Sequence, residues 1–165
     1  MENWDIRYSI LNDEKYLLRW LQDTEIKKCF PFSTEKEIYI GARNWAGNFR
    51  YKSSLTAVMN KEPCGIATLF LMPYKKVMHH AGLNIIVEKK RQNRGIGKSL
   101  LKNILNLAEN YLHLEGVEVE IYEGSTLQYL LKKFDFEQLA YQSNFIKENG
   151  NYRSRINYQT FFKKK

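Results

Sequence analysis

The sequence holds two cysteines in 165 residues, Cys29 and Cys64. They make no disulfide framework and match no metal-ligand spacing, so no metal is expected. No apolar run is long enough to cross a bilayer. The longest nearly apolar segment, 64–72, falls well short of the ~20 residues a spanning helix needs. No basic start leads into an apolar segment with a cleavage site, so no secretory signal is visible. Free thiols without an export signal lead to the expectation of a cytoplasmic protein with no membrane partner. No helix-turn-helix pattern, zinc spacing or RNP-like segment is present. A nucleic-acid-binding reading therefore rests on net charge alone and is set aside. There is no internal repeat, and the only low-complexity segment is a closing run of lysines.

What is present bounds the answer from the other side. The length is that of one domain, expected over residues 1–165. Hydrophobic residues make up 44% and aromatics 14%, enough for a sizeable core, and nothing in the composition points to disorder. The net charge is +8. Part of it lies in Lys163, Lys164 and Lys165 and part in a cluster over 89–98. Such charge serves solubility, or it faces an anionic ligand.

The cluster sits in the stretch the chain is organised around, 79–101. An apolar strand over 83–87 runs into a basic loop. The loop passes through Gly95-Ile96-Gly97 into a helix with apolar residues at Ile96, Leu100, Leu101, Ile104, Leu105 and Ala108. The first N–H groups of a helix have no partner inside it and point out of its end, where the dipole adds partial positive charge. Glycines let a phosphate reach that backbone without meeting a Cβ. Lys89, Lys90, Arg91, Arg94 and Lys98 surround the turn with formal charge. The combination suits a polyphosphate.

Spacing selects which one. A P-loop needs a glycine five residues before Gly97, where Gln92 stands. A dinucleotide fingerprint needs one three residues after Gly97, where Leu100 stands. Gln92-Asn93-Arg94-Gly95-Ile96-Gly97 instead resembles the Q/R-x-x-G-x-G/A signature of the GNAT superfamily of N-acetyltransferases. The element order read along the chain, β-α-α-β-β-β-α-β-α-β-β, also resembles that superfamily's. The opening strand carries Trp4, Ile6, Tyr8 and Ile10. Asn12 or Asp13 caps a first helix, and Ser33 opens a second that runs to about Trp45. The segment 23–32 has no clear period. A hairpin joins 55–59 to 64–72 around the turn Asn60-Lys61-Glu62-Pro63. The central helix ends near 112–115. A strand alternates Val117, Val119 and Ile121 with Glu118, Glu120 and Tyr122. Ser125 or Thr126 caps a short helix, and 136–145 pairs with 152–162.

The resemblance implies an α/β GNAT fold, a mixed and mostly antiparallel twisted sheet flanked by helices. It implies transfer of acetyl from acetyl-coenzyme A (acetyl-CoA, the co-substrate) to an amine on a small molecule or a peptide, in a ternary complex, by a monomer or homodimer. It places the pyrophosphate on Gln92, Asn93, Arg94, Gly95, Ile96, Gly97 and Lys98. It places the pantetheine arm along the backbone of Ile85, Ile86 and Val87, on a strand that splays from its neighbour. The family's second segment, N-x-x-A-x-x-L-Y-x-K-x-G-F, fits at Leu130, Lys133 and Phe136. It departs at Gly124, Leu127, Asp135 and Leu131, the last standing where a tyrosine commonly acts as general acid. Tyr129, about 200° from Leu131 around the helix, is expected to face elsewhere. For a base the candidates are His80, with His79 beside it, and Glu123; a water chain to solvent would also serve. Neither cysteine has a visible activating partner, which argues against an acyl-enzyme. Phe30, Phe32, Tyr39, Trp45, Tyr141, Phe145 and Tyr152 are candidates for an aromatic or apolar acceptor pocket, or else core. The alternative reading is an acyl-CoA-binding or regulatory domain that has lost catalysis, motivated by the departures over 124–135.

Overall fold

The computed structural model describes residues 3–162. The lysine run 163–165, read above as a source of charge, lies outside the described residues. Seven strands form one sheet in the order β1-β2-β3-β4-β5-β7-β6. They are β1 (Asp5–Tyr8), β2 (Ser54–Met59), β3 (Glu62–Leu71), β4 (His80–Val87), β5 (Gly116–Tyr122), β6 (Glu137–Glu148) and β7 (Asn151–Phe161). Every neighbouring pair is antiparallel except β4 and β5. Two helix layers cover it. On one face lie α1 (Glu14–Leu21), α2 (Thr24–Lys27) and α3 (Glu35–Ala46), and on the other α4 (Ile96–Asn106) and α5 (Leu127–Lys133).

Alternation along the strands explains the two cores. On β4, Ala81 and Leu83 point to the α4 side, and Ile86 points to the α1–α3 side with Ile66 of β3. Leu100, Leu101 and Ile104 recur on one face of α4 and are fully buried. Each such side chain contributes about 1.5–3 kcal/mol of burial. Trp20 and Trp45 fill the opposite core. Trp45 also donates its Nε1–H to Thr68 Oγ1 at 2.7 Å.

Several local expectations are corrected. Asp13 does not cap α1 with its side chain. It closes a 3-10 turn (Leu11–Asp13), is 1% exposed, and accepts from both terminal Arg7 guanidinium nitrogens, the Ile10 N–H and the Thr56 hydroxyl. Burial alone would push its carboxyl up. The Arg7 hydrogen bond, the Ile10 and Thr56 donors and the Arg7 charge outweigh that and hold it below the usual range. The second helix begins one residue later than read, at a Thr34–Glu37 capping box. The aperiodic 23–32 segment contains α2, capped by Asp23. Asn60 and Lys61 alone make the first hairpin turn, both with positive φ, and Pro63 belongs to β3. The central helix gives way after Asn106 to a π turn (Leu107–Tyr111). In the last hairpin, Asn149-Gly150 carries the positive φ values that a tight two-residue turn requires.

Candidate active site

The parallel pairing of β4 with β5 covers only His80–Gly116, Ala81–Val117 and Gly82–Glu118. Beyond it, β4 keeps its bonds to β3 as far as Val87, and β5 keeps its bonds to β7 as far as Tyr122. Each strand therefore has one satisfied edge and one edge open to a wedge between them. Backbone N–H and C=O groups on those open edges need partners from solvent or a ligand. The wedge is a cleft of about 600 Å³. Asn84, Ile85, Ile86 and Val87 form one wall and Val119, Glu120 and Ile121 the other. Glu25, Ile26, Cys29 and Phe30, on α2 and the turn after it, complete the side toward α1–α3.

The mouth of the cleft is the basic turn. Glu88 anchors its start, donating its N–H to Cys64 O at 2.9 Å. Its carboxylate holds Arg91 at 3.3 Å, Lys90 at 3.4 Å and Arg19 at 3.6 Å. Gln92 reaches back and donates Nε2–H to Val87 O at 3.1 Å. Asn93 (φ 60°) and Gly95 (φ 93°) then turn the chain through left-handed conformations into α4. Gly95 occupies the N-cap without any side-chain cap. The first helical bond is Ser99 N–H to Gly95 O at 3.0 Å, so the amides of Ile96, Gly97 and Lys98 have no intrahelical acceptor. A Cβ on Gly97 would stand 3.8 Å from Val87 Cγ2 and 3.9 Å from Leu130 Cδ2. Glycine keeps that approach open. Lys89, Lys98 and, from α5, Lys133 also line the cleft.

Of the residues the signature implied, Ile85, Ile86, Val87, Gln92, Asn93, Gly95, Gly97 and Lys98 line this one cleft. Ile96 and Arg94 do not. The Ile96 side chain is 1% exposed and belongs to the α4 core, so only its backbone is near the mouth. Arg94 is exposed and off the cleft wall.

The catalytic candidates separate. His80 begins β4, at the closed end of the wedge. It packs on Phe161 (centroids 5.4 Å) and His79 (4.0 Å), and its Nδ1 is buried without a partner among the described residues. It lines neither cavity described here, and four residues of strand, roughly 13 Å, separate it from Asn84. The sequence could not show this, because it does not show where β4 and β5 part. Glu123 lies just past β5 on the wall of an adjoining cavity, its Oε2 accepting the Ser154 N–H at 3.1 Å.

Sequence reasoning missed Glu120 as a site residue. It stands on the open part of β5, in the cleft, and accepts from the Tyr122 hydroxyl at 3.3 Å and Arg155 at 3.4 Å. Its signal was the Val-Glu-Val-Glu alternation, which turns the glutamates away from the α4 core. Burial, then Glu120, raise the Tyr122 phenol to about 12.

On α5 the expected geometry holds and its assignment reverses. Leu131 is fully buried in the α4-side core, and Tyr129, on the other side of the helix, lines the cleft with Leu130 and Lys133. Of the aromatic acceptor candidates only Phe30 lines the cleft; Trp45 is core, Phe32 is half-buried against the α1–α3 core, and Tyr39, Tyr141, Phe145 and Tyr152 are exposed away from it. Cys29 opens onto the cleft, yet desolvation pushes its thiol up. Burial likewise raises Cys64, to about 11. Neither is an activated thiolate. The described residues hold no His/Cys/Asp/Glu group able to bind a metal and no helix long and apolar enough to cross a membrane.

Residues 14–136 match the profile described as the acetyltransferase (GNAT) family. The L-amino acid N-acetyltransferase AaaT of Escherichia coli (strain K12) is 22% identical over 59% of this chain and 61% of its own length, so the chain spans less than two thirds of that relative. A GNAT-family acetyltransferase from Streptococcus pneumoniae superposes with a TM-score of 0.76 at 20% identity, over 97% of this chain and 100% of that one. The structure of yncA, a putative acetyltransferase from Salmonella typhimurium with its cofactor acetyl-CoA, gives 0.81 at 13% identity, over 99% and 96%. At these identities the superpositions show the fold alone.

Proposed function

Because this chain belongs to the acetyltransferase (GNAT) family, we propose that it transfers acetyl from acetyl-CoA to an amine by direct attack. The observation that carries the reading is the β4–β5 wedge opening onto the uncapped start of α4. The unpartnered amides at Ile96, Gly97 and Lys98, with the Lys98 and Lys89 charges beside them, would hold the pyrophosphate. The open edge of β4 at Ile85, Ile86 and Val87 would hold the pantetheine arm. A backbone N–H on that edge is fixed by the β3 pairing, so it can stabilise charge developing on a thioester oxygen without reorganising. Acetyl-CoA supplies an activated acyl group on a good leaving thiolate.

An amine arrives protonated, since its ordinary pKa is near ~10, and must lose a proton before it attacks. Glu120 is the group we assign to that task. It is a carboxylate on the cleft wall, held by Tyr122 and Arg155. The leaving thiolate needs no dedicated acid near neutrality, because a thiol has a pKa of about 8.5. That fits a chain with Leu131 buried in its core. The rival reading, an acyl-CoA-binding domain without catalysis, draws on the same leucine, and Glu120 in the cleft favours catalysis over it. Thiol release from acetyl-CoA, followed across a panel of amines, separates the two. Turnover with any amine supports transfer, and tight binding without turnover across the panel supports the rival.

A further inference from the structure

A second cavity of about 440 Å³ adjoins the cleft, with Glu25, Cys29, Gly124 and Ser125 in both walls. It lies between α2, the end of β5 and the tip of the β6–β7 hairpin. No aliphatic side chain lines it. Apart from Tyr122, Cys29 and Gly124, its lining residues are polar or charged.

Its cations are already engaged. Lys28 pairs with Glu25 at 3.3 Å. Arg153 pairs with Glu148 at 3.7 Å and donates to the carbonyls of Lys28 at 3.0 Å and Glu123 at 3.5 Å. Glu123 differs. Its carboxylate accepts the Ser154 N–H and has no ion-pair partner among the described residues. An ionised carboxylate offers about four acceptor sites, so most of its capacity is open to the cavity. Glu123 is the first residue past β5 and three along from Glu120, so at most about 10 Å of chain separates them.

We infer that the acceptor is a dicationic amine: its reacting nitrogen lies at Glu120 and a second ammonium or guanidinium group, about 10 Å away, binds Glu123 in the adjoining cavity. This rests on the acetyl-transfer reading and names the substrate class for it. The charge pattern runs against the chain as a whole, which carries +8. In a protein of that sign, a cation is drawn to this mouth by local carboxylates and by nothing long-ranged.

The test is equilibrium binding, so that it does not depend on turnover. Protein saturated with coenzyme A is titrated by calorimetry with 1,7-diaminoheptane and with 1-aminoheptane. It is then titrated with Ala-Arg-Ala and with Ala-Gln-Ala, each C-terminally amidated. The dicationic member of at least one pair should bind about 10-fold tighter, as one charge-assisted contact allows. The margin should shrink on raising salt. A preference in the diamine pair identifies a free polyamine, and one in the peptide pair a basic chain end. Glu123→Gln should erase the preference and leave the monocation's affinity within about two-fold. Equal binding within both pairs, or a preference that survives Glu123→Gln, overturns the inference while leaving acetyl transfer standing. Failure to bind coenzyme A at all overturns both.

Discussion

Gly97→Glu should move stability and cofactor affinity in opposite directions. The added Cβ would sit in ordinary van der Waals contact with Val87 and Leu130, at 3.8 and 3.9 Å, and nothing nearer obstructs it. Gly97 lies in the first turn of α4 without a positive φ, so a side chain is unstrained there. Replacing a helical glycine then gains up to about 1 kcal/mol. For a chain of this size that raises Tm by about 2–4 °C. The added carboxylate puts negative charge where a phosphate must approach the amides of Ile96, Gly97 and Lys98. Losing or lengthening one charge-assisted backbone bond there costs about 1.5–3 kcal/mol, a 10- to 150-fold weaker Kd. Calorimetry gives the affinity directly, and thermal melts with and without acetyl-CoA give both effects in one experiment. The variant should melt higher alone and gain less from ligand. If Gly97→Glu binds acetyl-CoA within two-fold of the parent, the phosphates do not lie at the start of α4 and the site assignment falls.

Three other variants test separate parts of the argument. Glu120→Gln should lower kcat/KM by about 10²–10⁴ while acetyl-CoA binding stays within two-fold; an unchanged pH–rate profile would remove it from the chemistry. Tyr129→Phe should leave turnover within a few-fold, since the hydroxyl lies on an exposed part of the cleft wall, and a hundred-fold loss would make it the general acid. Asp13→Asn should cost about 1–3 kcal/mol at neutral pH, the price of a weakened contact to Arg7. Because Asp13's folded-state pKa is lowered, its contribution is full above the ordinary carboxylate pKa and disappears as pH falls through the lower, folded value. Parent and variant should therefore converge in urea midpoint at low pH, and a gap that stays constant would show that the carboxylate charge is not what stabilises the fold.

The strand, basic turn and helix start were legible because their signals are local. Two glycines, a run of cations and an apolar helix face lie within a few residues of each other. The element order was legible for the same reason. Which side chains meet in the cleft was not. His80 and Glu120 are both polar residues on strands; only the point at which β4 and β5 separate puts one at the closed end and the other in the opening. On α5, a rotation of about 200° between Tyr129 and Leu131 follows from helix geometry. Which of the two faces the core depends on how α5 lies on the sheet, and its short amphipathic pattern does not settle that. Asp13 read as a helix cap because caps are the usual place for such a residue. Its bond to Thr56 joins segments 43 residues apart, and its bonds to Arg7 tie it back to β1.

The shortness of the β4–β5 pairing divides the sheet into two leaves. One leaf, β1 to β4, carries the start of α4 and the edge assigned to the donor. The other, β5 with β7 and β6, carries Glu120, Glu123 and the hairpin tip that borders the acceptor cavity. Within the sheet only the residue pairs from His80–Gly116 to Gly82–Glu118 form the spine between them. On the function proposed above, donor and acceptor would be held by different leaves, and the angle at the spine would set how far apart the reacting atoms stand. A substitution at the spine, which lines neither cavity, would then act on the rate by changing that angle. Gly116 is such a place. A Cβ there would press on His80 and Phe161 at 3.0 and 3.1 Å, and the leaves would have to shift to admit it.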